Sequence, residues 1–138
     1  MTALIDTNVV LDVLLGRAAH LADSAAAIAA VETGRCRGLL CATTVTTIHY
    51  IARRQLGNKE SLERLADILT IFSVAAVNET ALRAAMNSGM ADFEDAVLHE
   101  AARQAGADCI VTRNVSDFSG SQIPVYLPSQ LLKALQAT

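Results

Sequence analysis

The chain has 138 residues, with 11 Lys and Arg side chains against 14 Asp and Glu, which gives a formal net charge of −3. Hydrophobic residues make up 52% of the sequence and aromatic residues only 4%, with no Trp. These values exclude a disordered chain, an overall basic nucleic-acid-binding surface and a platform of stacked aromatic side chains. The length predicts one domain over residues 1–138 with a core of its own.

Short apolar runs alternate with helical patterns along the chain. The predicted strands cover residues 2–6, 38–41, 72–77, 109–112 and 125–127. The predicted helices cover residues 9–15, 20–33, 43–56, 59–69, 80–86, 92–104 and 128–136. Strands that alternate with helices are typical of a parallel sheet covered on both faces. The sequence therefore predicts an α/β fold, a three-layer α/β/α sandwich with a mainly parallel central sheet.

The cysteines and the apolar runs indicate a cellular compartment. Cys36, Cys41 and Cys109 are an odd set without a C-x-x-C motif, which favours a reducing environment over a disulfide framework or a zinc cluster. The longest apolar run, residues 25–31, is far shorter than a membrane span, and no basic signal segment opens the chain. We expect a soluble cytoplasmic protein that does not engage a membrane.

Polar side chains follow two predicted strands and open one predicted helix. Asp6 ends the first strand, and Thr112 ends the fourth, with Asn114 and Asp117 just beyond it. Asp92 and Asp95 open a helix three residues apart and share one face, whereas Glu94 between them should point elsewhere. Sites in open α/β sheets form outside the carboxyl ends of strands. We therefore expect Asp6, Asp92, Asp95 and Asp117 to converge, with Asn114 beside them.

Each of these residues also has a purely structural interpretation. A lone Asp at a strand end is commonly a turn or cap residue, and Asp92 with Asp95 fits an N-cap and a partner of the helix dipole. Asn114 and Asp117 fit the shaping of a loop. Capping and loop shaping explain each of these three segments separately, but they explain less well why all three occur in one chain at expected strand ends and helix starts.

Several carboxylates in one pocket repel one another unless a cation lies between them. Mg²⁺ or Mn²⁺ is the natural choice because hard cations prefer oxygen ligands. Carboxylate-bound metal ions activate water and stabilise the oxygens of an in-line phosphodiester displacement. Such an ion would also let an acidic protein bind RNA, and Arg113 is a candidate ligand for a substrate phosphate.

Three segments of the sequence resemble the PIN-domain ribonucleases, including toxins of the VapC type. Residues 4–17, LIDTNVVLDVLLGR, are similar to the D-T-N start of that family. Residues 92–102, DFEDAVLHEAA, are similar to its third acidic motif, and residues 108–118, DCIVTRNVSDF, to its fourth block. The order and spacing of these motifs extend the resemblance over almost the whole chain.

The resemblance implies a metal-dependent endoribonuclease, here the toxin of a type II toxin–antitoxin pair. Asp6, Asp95 and Asp117, with Asp92 beside them, would be catalytic residues and ligands of Mg²⁺ or Mn²⁺. The residues expected to support them are Thr7, Asn8, Thr112 and Asn114. A homodimer and a cognate antitoxin are the protein partners that the resemblance implies.

The sequence departs from the family pattern at one position. Many members carry an acidic residue early in the helix after the second strand, where this chain has Thr47. A site for two metal ions is therefore less secure, and Asp12 is either a compensating carboxylate or a solvated charge. The alternative function is a catalytically weak PIN-like module that binds proteins.

A phosphoacceptor aspartate fold is a third hypothesis. Haloacid-dehalogenase-like phosphatases need a second Asp two residues after the first, where this chain has Asn8. A receiver domain needs a Lys late in the chain after a strand, and the only lysines are Lys59 and Lys133. The motifs of this class are therefore absent.

Overall fold

A computed structural model describes residues 1–137, over which the chain forms five strands, seven α-helices and one 3₁₀ helix. The strands are β1 (Thr2–Ile5), β2 (Arg37–Cys41), β3 (Ser73–Ala75), β4 (Cys109–Val111) and β5 (Val125–Tyr126). The α-helices are α1 (Thr7–Leu14), α2 (Leu21–Glu32), α3 (Ala42–Leu56), α4 (Asn58–Ile71), α5 (Glu79–Met86), α6 (Phe93–Gln104) and α7 (Pro128–Gln136). The 3₁₀ helix covers Val115–Phe118.

The five strands form one sheet in the order β3-β2-β1-β4-β5, and every pair is parallel. The chain moves from β1 to one side of the sheet through β2 and β3, and then crosses to the other side of β1 as β4. The strand order therefore reverses between β1 and β4. In open parallel sheets a crevice lies outside the carboxyl ends of the strands at such a point. The predicted α/β/α sandwich is confirmed, and its sheet is entirely parallel.

Both faces of the sheet are buried, which is why its strands are almost continuously apolar. Along β1, Ala3 and Ile5 face a core formed with α1, α2, α3, α4 and α7, as expected for side chains that alternate across a strand. Leu4 faces the opposite core, which α5 and α6 complete with Val97 and Leu98. Both cores contain side chains of β1 and of β4, and the two strands pair directly, so their carboxyl ends lie next to each other.

The element boundaries depart from the sequence-based predictions at three places. Asp6, which we expected to end the first strand, lies outside β1 in an extended conformation and is the N-cap of α1. The third strand is only Ser73–Ala75, because β3 is an edge strand with pairing on one side. Residues 115–118 form a 3₁₀ turn where we expected an irregular loop.

Features related to the expected compartment are also visible in the structure. Cys36, Cys41 and Cys109 are all buried and form no disulfide. Burial raises the pKa of Cys109 to about 12, so this thiol is not a nucleophile at neutral pH. No helix within residues 1–137 combines the length and the apolar character needed to cross a bilayer.

Gly38 lies where β2 passes closest to neighbouring side chains. A Cβ atom at this position would approach Cε1 of Phe72 and Cγ1 of Val31 to 2.6 Å each. Because both neighbours are buried, we expect Gly38→Ala to lower the free energy of unfolding by about 1–3 kcal/mol. Urea denaturation followed by circular dichroism measures this change. An unchanged midpoint would show that Phe72 and Val31 move aside without cost.

Candidate functional site

Asp6 lies at the carboxyl end of β1, next to the end of β4. Its backbone N–H donates to the carbonyl of Val111 (2.9 Å), which extends the pairing of the two strands by one residue. Its side chain caps α1, because Oδ1 accepts a hydrogen bond of 2.7 Å from the backbone N–H of Thr7. The cap and the strand pairing together fix the direction of this carboxylate.

A polar network holds the other oxygen of Asp6. Its Oδ2 accepts hydrogen bonds from the Thr112 hydroxyl (2.9 Å) and from Asn8 Nδ2 (3.3 Å). The Asn114 backbone N–H in turn donates to Thr112 Oγ1 (3.0 Å), and Asn8 Oδ1 accepts from the backbone N–H of Arg113 (3.2 Å). The four residues that we expected to support Asp6 are thus all connected to it, Thr7 and Asn114 through their backbone N–H groups.

Asp6 keeps acceptor capacity despite these contacts. A carboxylate offers about four lone-pair positions, and the three donors named above fill two on Oδ2 and one on Oδ1. Burial is the main reason that the pKa of Asp6 is raised, and the hydrogen bonds from Thr112 and Thr7 oppose the shift. One acceptor position of Oδ1 therefore has no donor among the described residues.

Asp92 and Asp95 lie at the start of α6. Asp92 is its N-cap, and its Oδ1 accepts a hydrogen bond from the Asp95 backbone N–H (2.9 Å). The two side chains line an open groove of about 450 Å³ together with Asp117, which the 3₁₀ turn projects from the other side. Asp6 is not among the residues that line this groove, but its negative charge acts on Asp95. We call the four residues Asp6, Asp92, Asp95 and Asp117 together the acidic groove. Asn114 precedes the turn and is exposed, and no hydrogen bond of its side chain is seen within residues 1–137.

The acidic groove is electrostatically strained. Burial raises the pKa of Asp95 to about 7, and the negative charges of Asp6, Asp92, Asp117 and Glu94 add to the shift, with Asp6 the strongest of them. No Lys, Arg or His within residues 1–137 forms an ion pair with any carboxylate of the groove. The repulsion among these residues is therefore not balanced by a cationic side chain of the described chain.

The raised pKa of Asp95 predicts how pH affects the stability of the metal-free protein. Between pH 3.8 and about 7 the unfolded chain has released this proton while the folded chain still holds it, so rising pH favours unfolding. Above about pH 7 the loss of folding stability is complete and no longer changes with pH. Asp95→Asn removes the effect. In EDTA, the melting temperature of the variant minus that of the wild type should therefore rise by a few degrees between pH 4 and pH 8. An offset that does not change with pH would contradict the assignment.

The donor set of the groove suits a hard divalent cation, since its side-chain ligands are carboxylate oxygens with no balancing positive charge. Within residues 1–137, however, no three Asp, Glu, His or Cys side chains are gathered as a ready set of metal ligands. Mg²⁺ does not require such a set, because it usually keeps several waters and binds through one or two carboxylates and the substrate. The residues present therefore fit Mg²⁺ or Mn²⁺ held partly through water.

Asp12 is a buried charge that the sequence did not reveal. We considered it a solvated or compensating carboxylate, but it is fully buried in α1. Its Oδ2 accepts hydrogen bonds from Arg113 Nε (2.7 Å) and Ser24 Oγ (2.8 Å), and Arg17 Nη1 lies 3.7 Å from Oδ1. Asp12 is therefore part of an internal ion pair. The spacing of residues 12, 24 and 113 gave no signal for it.

Arg113, the candidate phosphate ligand, is about three-quarters buried because of this pair. Its side chain also lines a cavity of about 230 Å³ with His20, Ser24 and Ser129. Arg113 itself follows β4 at the carboxyl edge of the sheet, but its side chain lines this cavity and not the acidic groove. The buried Asp12 thus holds the guanidinium against the cavity.

Glu94 does not line the acidic groove with Asp92 and Asp95, and its side chain lines a separate cavity with Thr47 and Leu82. Its negative charge nevertheless adds to the raised pKa of Asp6 and of Asp95. Its Oε1 accepts a hydrogen bond of 3.3 Å from the hydroxyl of Thr47 on α3. Helical periodicity alone does not show this contact, because α3 is a separate element.

The sequence of this chain matches a known protein family. The PIN domain family model matches residues 2–116 of the chain. A search of its sequence against curated proteins gives no match.

Solved structures share the fold at low sequence identity. VapBC2 from Rickettsia felis, bound to a promoter DNA fragment, has a TM-score of 0.68 at 10% identity, over 91% of this chain and 97% of that one. VapC20 from Mycobacterium tuberculosis, a toxin that cleaves the sarcin-ricin loop, has a TM-score of 0.68 at 14% identity, over 88% and 95%. FitAcB from Neisseria gonorrhoeae has a TM-score of 0.68 at 22% identity, over 92% and 98%. These likenesses concern the fold alone.

Proposed function

Because this chain belongs to the PIN domain family, we propose that it is a metal-dependent endoribonuclease and the toxin of a type II toxin–antitoxin pair. The observation that carries the proposal is the acidic groove: the carboxylate of Asp6, which follows β1, and those at the start of α6 and in the 3₁₀ turn repel one another without a cationic partner among the described residues. Such a groove is costly to maintain unless a divalent cation binds there.

Asp6, Asp95 and Asp117, with Asp92 at the rim, would hold Mg²⁺ or Mn²⁺. A bound divalent ion supplies an activated water and neutralises charge on the phosphodiester in the transition state. Asp6 contributes a carboxylate whose direction is fixed by Thr7, Asn8 and Thr112. Such fixed placement lowers the cost of reorganisation during the reaction. Hydrolysis forms a bond from water oxygen to phosphorus and breaks one phosphorus–oxygen ester bond.

Arg113 would bind a phosphate of the RNA next to the one that is cleaved. Its backbone follows β4 at the carboxyl edge of the sheet, and Asp12 holds its guanidinium against the cavity that it lines. A positioned guanidinium matches the oxygens of a phosphate. An acidic protein thus reaches RNA through a bound cation and one arginine, without a broad basic surface.

The proposed antitoxin would neutralise the groove with a cationic segment, because the groove has an excess of negative charge. A homodimer is the second proposed partnership. Tyr50 on α3 is 53% exposed and Leu62 on α4 is 50% exposed, so these two helices leave apolar surface uncovered. Such surface is a candidate for contact with a second copy. Its three buried free cysteines favour a reducing compartment, and we propose that the protein acts in the cytoplasm.

A catalytically weak protein-binding module is the alternative, favoured by the absence of a ready set of three metal ligands within residues 1–137. The two functions differ in their response to metal ions. A binding module would keep its partner affinity in EDTA and would not cleave RNA under any condition.

Removal of metal ions tests the proposed function. We expect the purified protein to cleave a panel of single-stranded RNAs in Mg²⁺ or Mn²⁺, to lose this activity in EDTA, and to regain it when excess metal is returned. The products are followed on denaturing gels. Cleavage that continues unchanged in EDTA, or no cleavage of any RNA with either metal, would contradict the proposal.

A further inference from the structure

Two faces of the start of α6 border two different cavities. Asp92 and Asp95 line the acidic groove, whereas other residues of the same turns face a cavity shared with α3 and α5. Side chains three or four positions apart lie on one helix face, which explains this division. The second cavity, which we call the side cavity, measures about 180 Å³ and is lined by Thr43, Thr47, Leu82, Phe93, Glu94 and Val97.

The side cavity combines an exposed aromatic ring with an unbalanced carboxylate. Phe93 is 48% exposed, although Phe is among the residues most often buried. Glu94 accepts a hydrogen bond of 3.3 Å from the Thr47 hydroxyl on Oε1, and its Oε2 has no donor within residues 1–137. No basic side chain lines the cavity, and none in this part of the chain forms an ion pair with Glu94. The side cavity therefore offers a flat apolar surface beside free acceptors.

These properties favour one part of a polynucleotide over another. A phosphate would be repelled by Glu94 and would find no cation in the side cavity. A base is uncharged, and unpaired RNA bases stack on aromatic side chains while their edges form hydrogen bonds with polar ones. The volume lies below the roughly 300–1,000 Å³ of cavities that enclose a drug-sized ligand, so it suits a single ring system.

The carboxylate of Glu94 discriminates among the bases, because an ionised carboxylate only accepts hydrogen bonds. Guanine presents two neighbouring donors on its Watson–Crick edge, N1–H and the N2 amino group. Adenine and cytosine have a ring-nitrogen acceptor beside their amino group, and uracil has a carbonyl on each side of its N–H. A carboxylate therefore accepts two hydrogen bonds from guanine, whereas on each of the other bases it meets a lone pair that repels it.

The side cavity is also close enough to the acidic groove to receive a base of the same RNA strand. Asp92 of the groove and Phe93 of the side cavity are consecutive, and consecutive Cα atoms are about 3.8 Å apart. A strand with a phosphate in the groove thus has its neighbouring nucleotides beside the side cavity. The scarcity of aromatic residues excludes a platform for many bases, but one exposed ring is sufficient for one base.

We propose that the side cavity is a guanine-binding pocket for the RNA substrate, in which Phe93 stacks on the base and Glu94 accepts hydrogen bonds from N1–H and the N2 amino group. Thr47 holds the carboxylate in place through its hydrogen bond to Oε1. Phe93 and Glu94 determine specificity, since contacts to phosphates carry no information about the sequence. This inference rests on the proposed function, because it assumes that the acidic groove cleaves RNA.

Replacement of guanosine with inosine tests the pocket, because inosine lacks only the N2 amino group. The cut in a cleaved single-stranded RNA is mapped, each guanosine that flanks it is replaced in turn, and kcat/KM is measured in saturating Mg²⁺. At one position we expect the wild type to prefer guanosine about tenfold, as for the loss of one hydrogen bond to a charged group. In Glu94→Ala this preference should fall to about one. Because both rates come from the same enzyme, their ratio does not depend on its metal affinity.

A variant of the ring separates stacking from the hydrogen bonds. Phe93→Leu keeps an apolar side chain without an aromatic ring, so we expect kcat/KM to fall at least about fivefold on both RNAs while the preference for guanosine stays. The matched control is Glu79→Ala, which changes an exposed Glu at the start of α5 and should keep the wild-type rates and preference. Circular dichroism verifies that each variant is folded.

The outcomes separate this pocket from the proposed function. Equal cleavage of guanosine and inosine RNA by the wild type, or a preference that survives Glu94→Ala, would overturn the pocket and leave the side cavity to a peptide of a protein partner. Wild-type rates in Phe93→Leu would also overturn it. A wild type that cleaves no RNA would overturn the proposed function itself, whereas cleavage without a preference for guanosine would overturn only the pocket.

Discussion

Replacement of Asp95 with Asn is expected to reduce RNA cleavage at least about a hundredfold while the chain remains folded. The loss follows because Asp95 lies among the other carboxylates of the acidic groove, and a divalent ion contributes several kcal/mol of transition-state stabilisation. Asn has nearly the same size and removes only the charge. Cleavage rates are measured with a single-stranded RNA in saturating Mg²⁺, and circular dichroism verifies the fold.

The matched control is Asp67→Asn, which removes one negative charge from an exposed position on α4. It should cleave at the wild-type rate, since α4 packs on the face of the sheet opposite to α6. Equal rates for Asp95→Asn and the wild type would remove Asp95 from the catalytic site. Equal losses in both variants would indicate that net charge, and not the groove, controls the activity.

Replacement of Asp12 with Ala is expected to destabilise the protein by about 3–5 kcal/mol. The change leaves the partly buried Arg113 and the fully buried Ser24 hydroxyl without their acceptor. Breaking a buried ion pair on one side has this cost because the remaining charge stays desolvated. A loss of this size is a large part of the stability of a typical domain. Urea denaturation of the wild type and the variant measures the difference.

Asp67→Ala is the control for this prediction, because its carboxylate is exposed and the change should stay within about 0.5 kcal/mol. Asp12→Ala combined with Arg113→Met should be more stable than Asp12→Ala alone, since the unpaired guanidinium is then removed. If Asp12→Ala alone were as stable as Asp67→Ala, the Asp12–Arg113 pair would contribute nothing to the stability of the fold.

The sequence was sufficient to predict the architecture and to select Asp6 and Asp95 as candidate site residues. Short apolar runs between helical patterns, such as residues 109–111, are typical of buried strands. Gly34, Gly57 and Gly106 follow helical patterns in the sequence, and the structure places each of them just after a helix with a positive φ angle. Asp6 and Asp95 were found because strand ends and helix starts are local features. The expectation that they approach each other needed only the rule that the carboxyl ends of parallel strands share one edge.

The sequence was not sufficient for contacts between distant elements. Asp12 and Arg113 are 101 positions apart, and nothing in either neighbourhood distinguishes a buried ion pair from two solvated charges. The hydrogen bond between Glu94 and Thr47 joins two helices, and no local pattern in the sequence indicates it. Both contacts depend on tertiary packing more than on helical periodicity.

A crystal of the protein soaked in MnCl₂, with diffraction data collected to show the anomalous signal of manganese, would test the central claim most directly. We expect one strong anomalous peak between Asp6, Asp95 and Asp117, and we expect Asp95→Asn crystals to lose it. A manganese peak at another place, or a groove without one at millimolar Mn²⁺, would contradict the assignment of the acidic groove as a metal-dependent catalytic site.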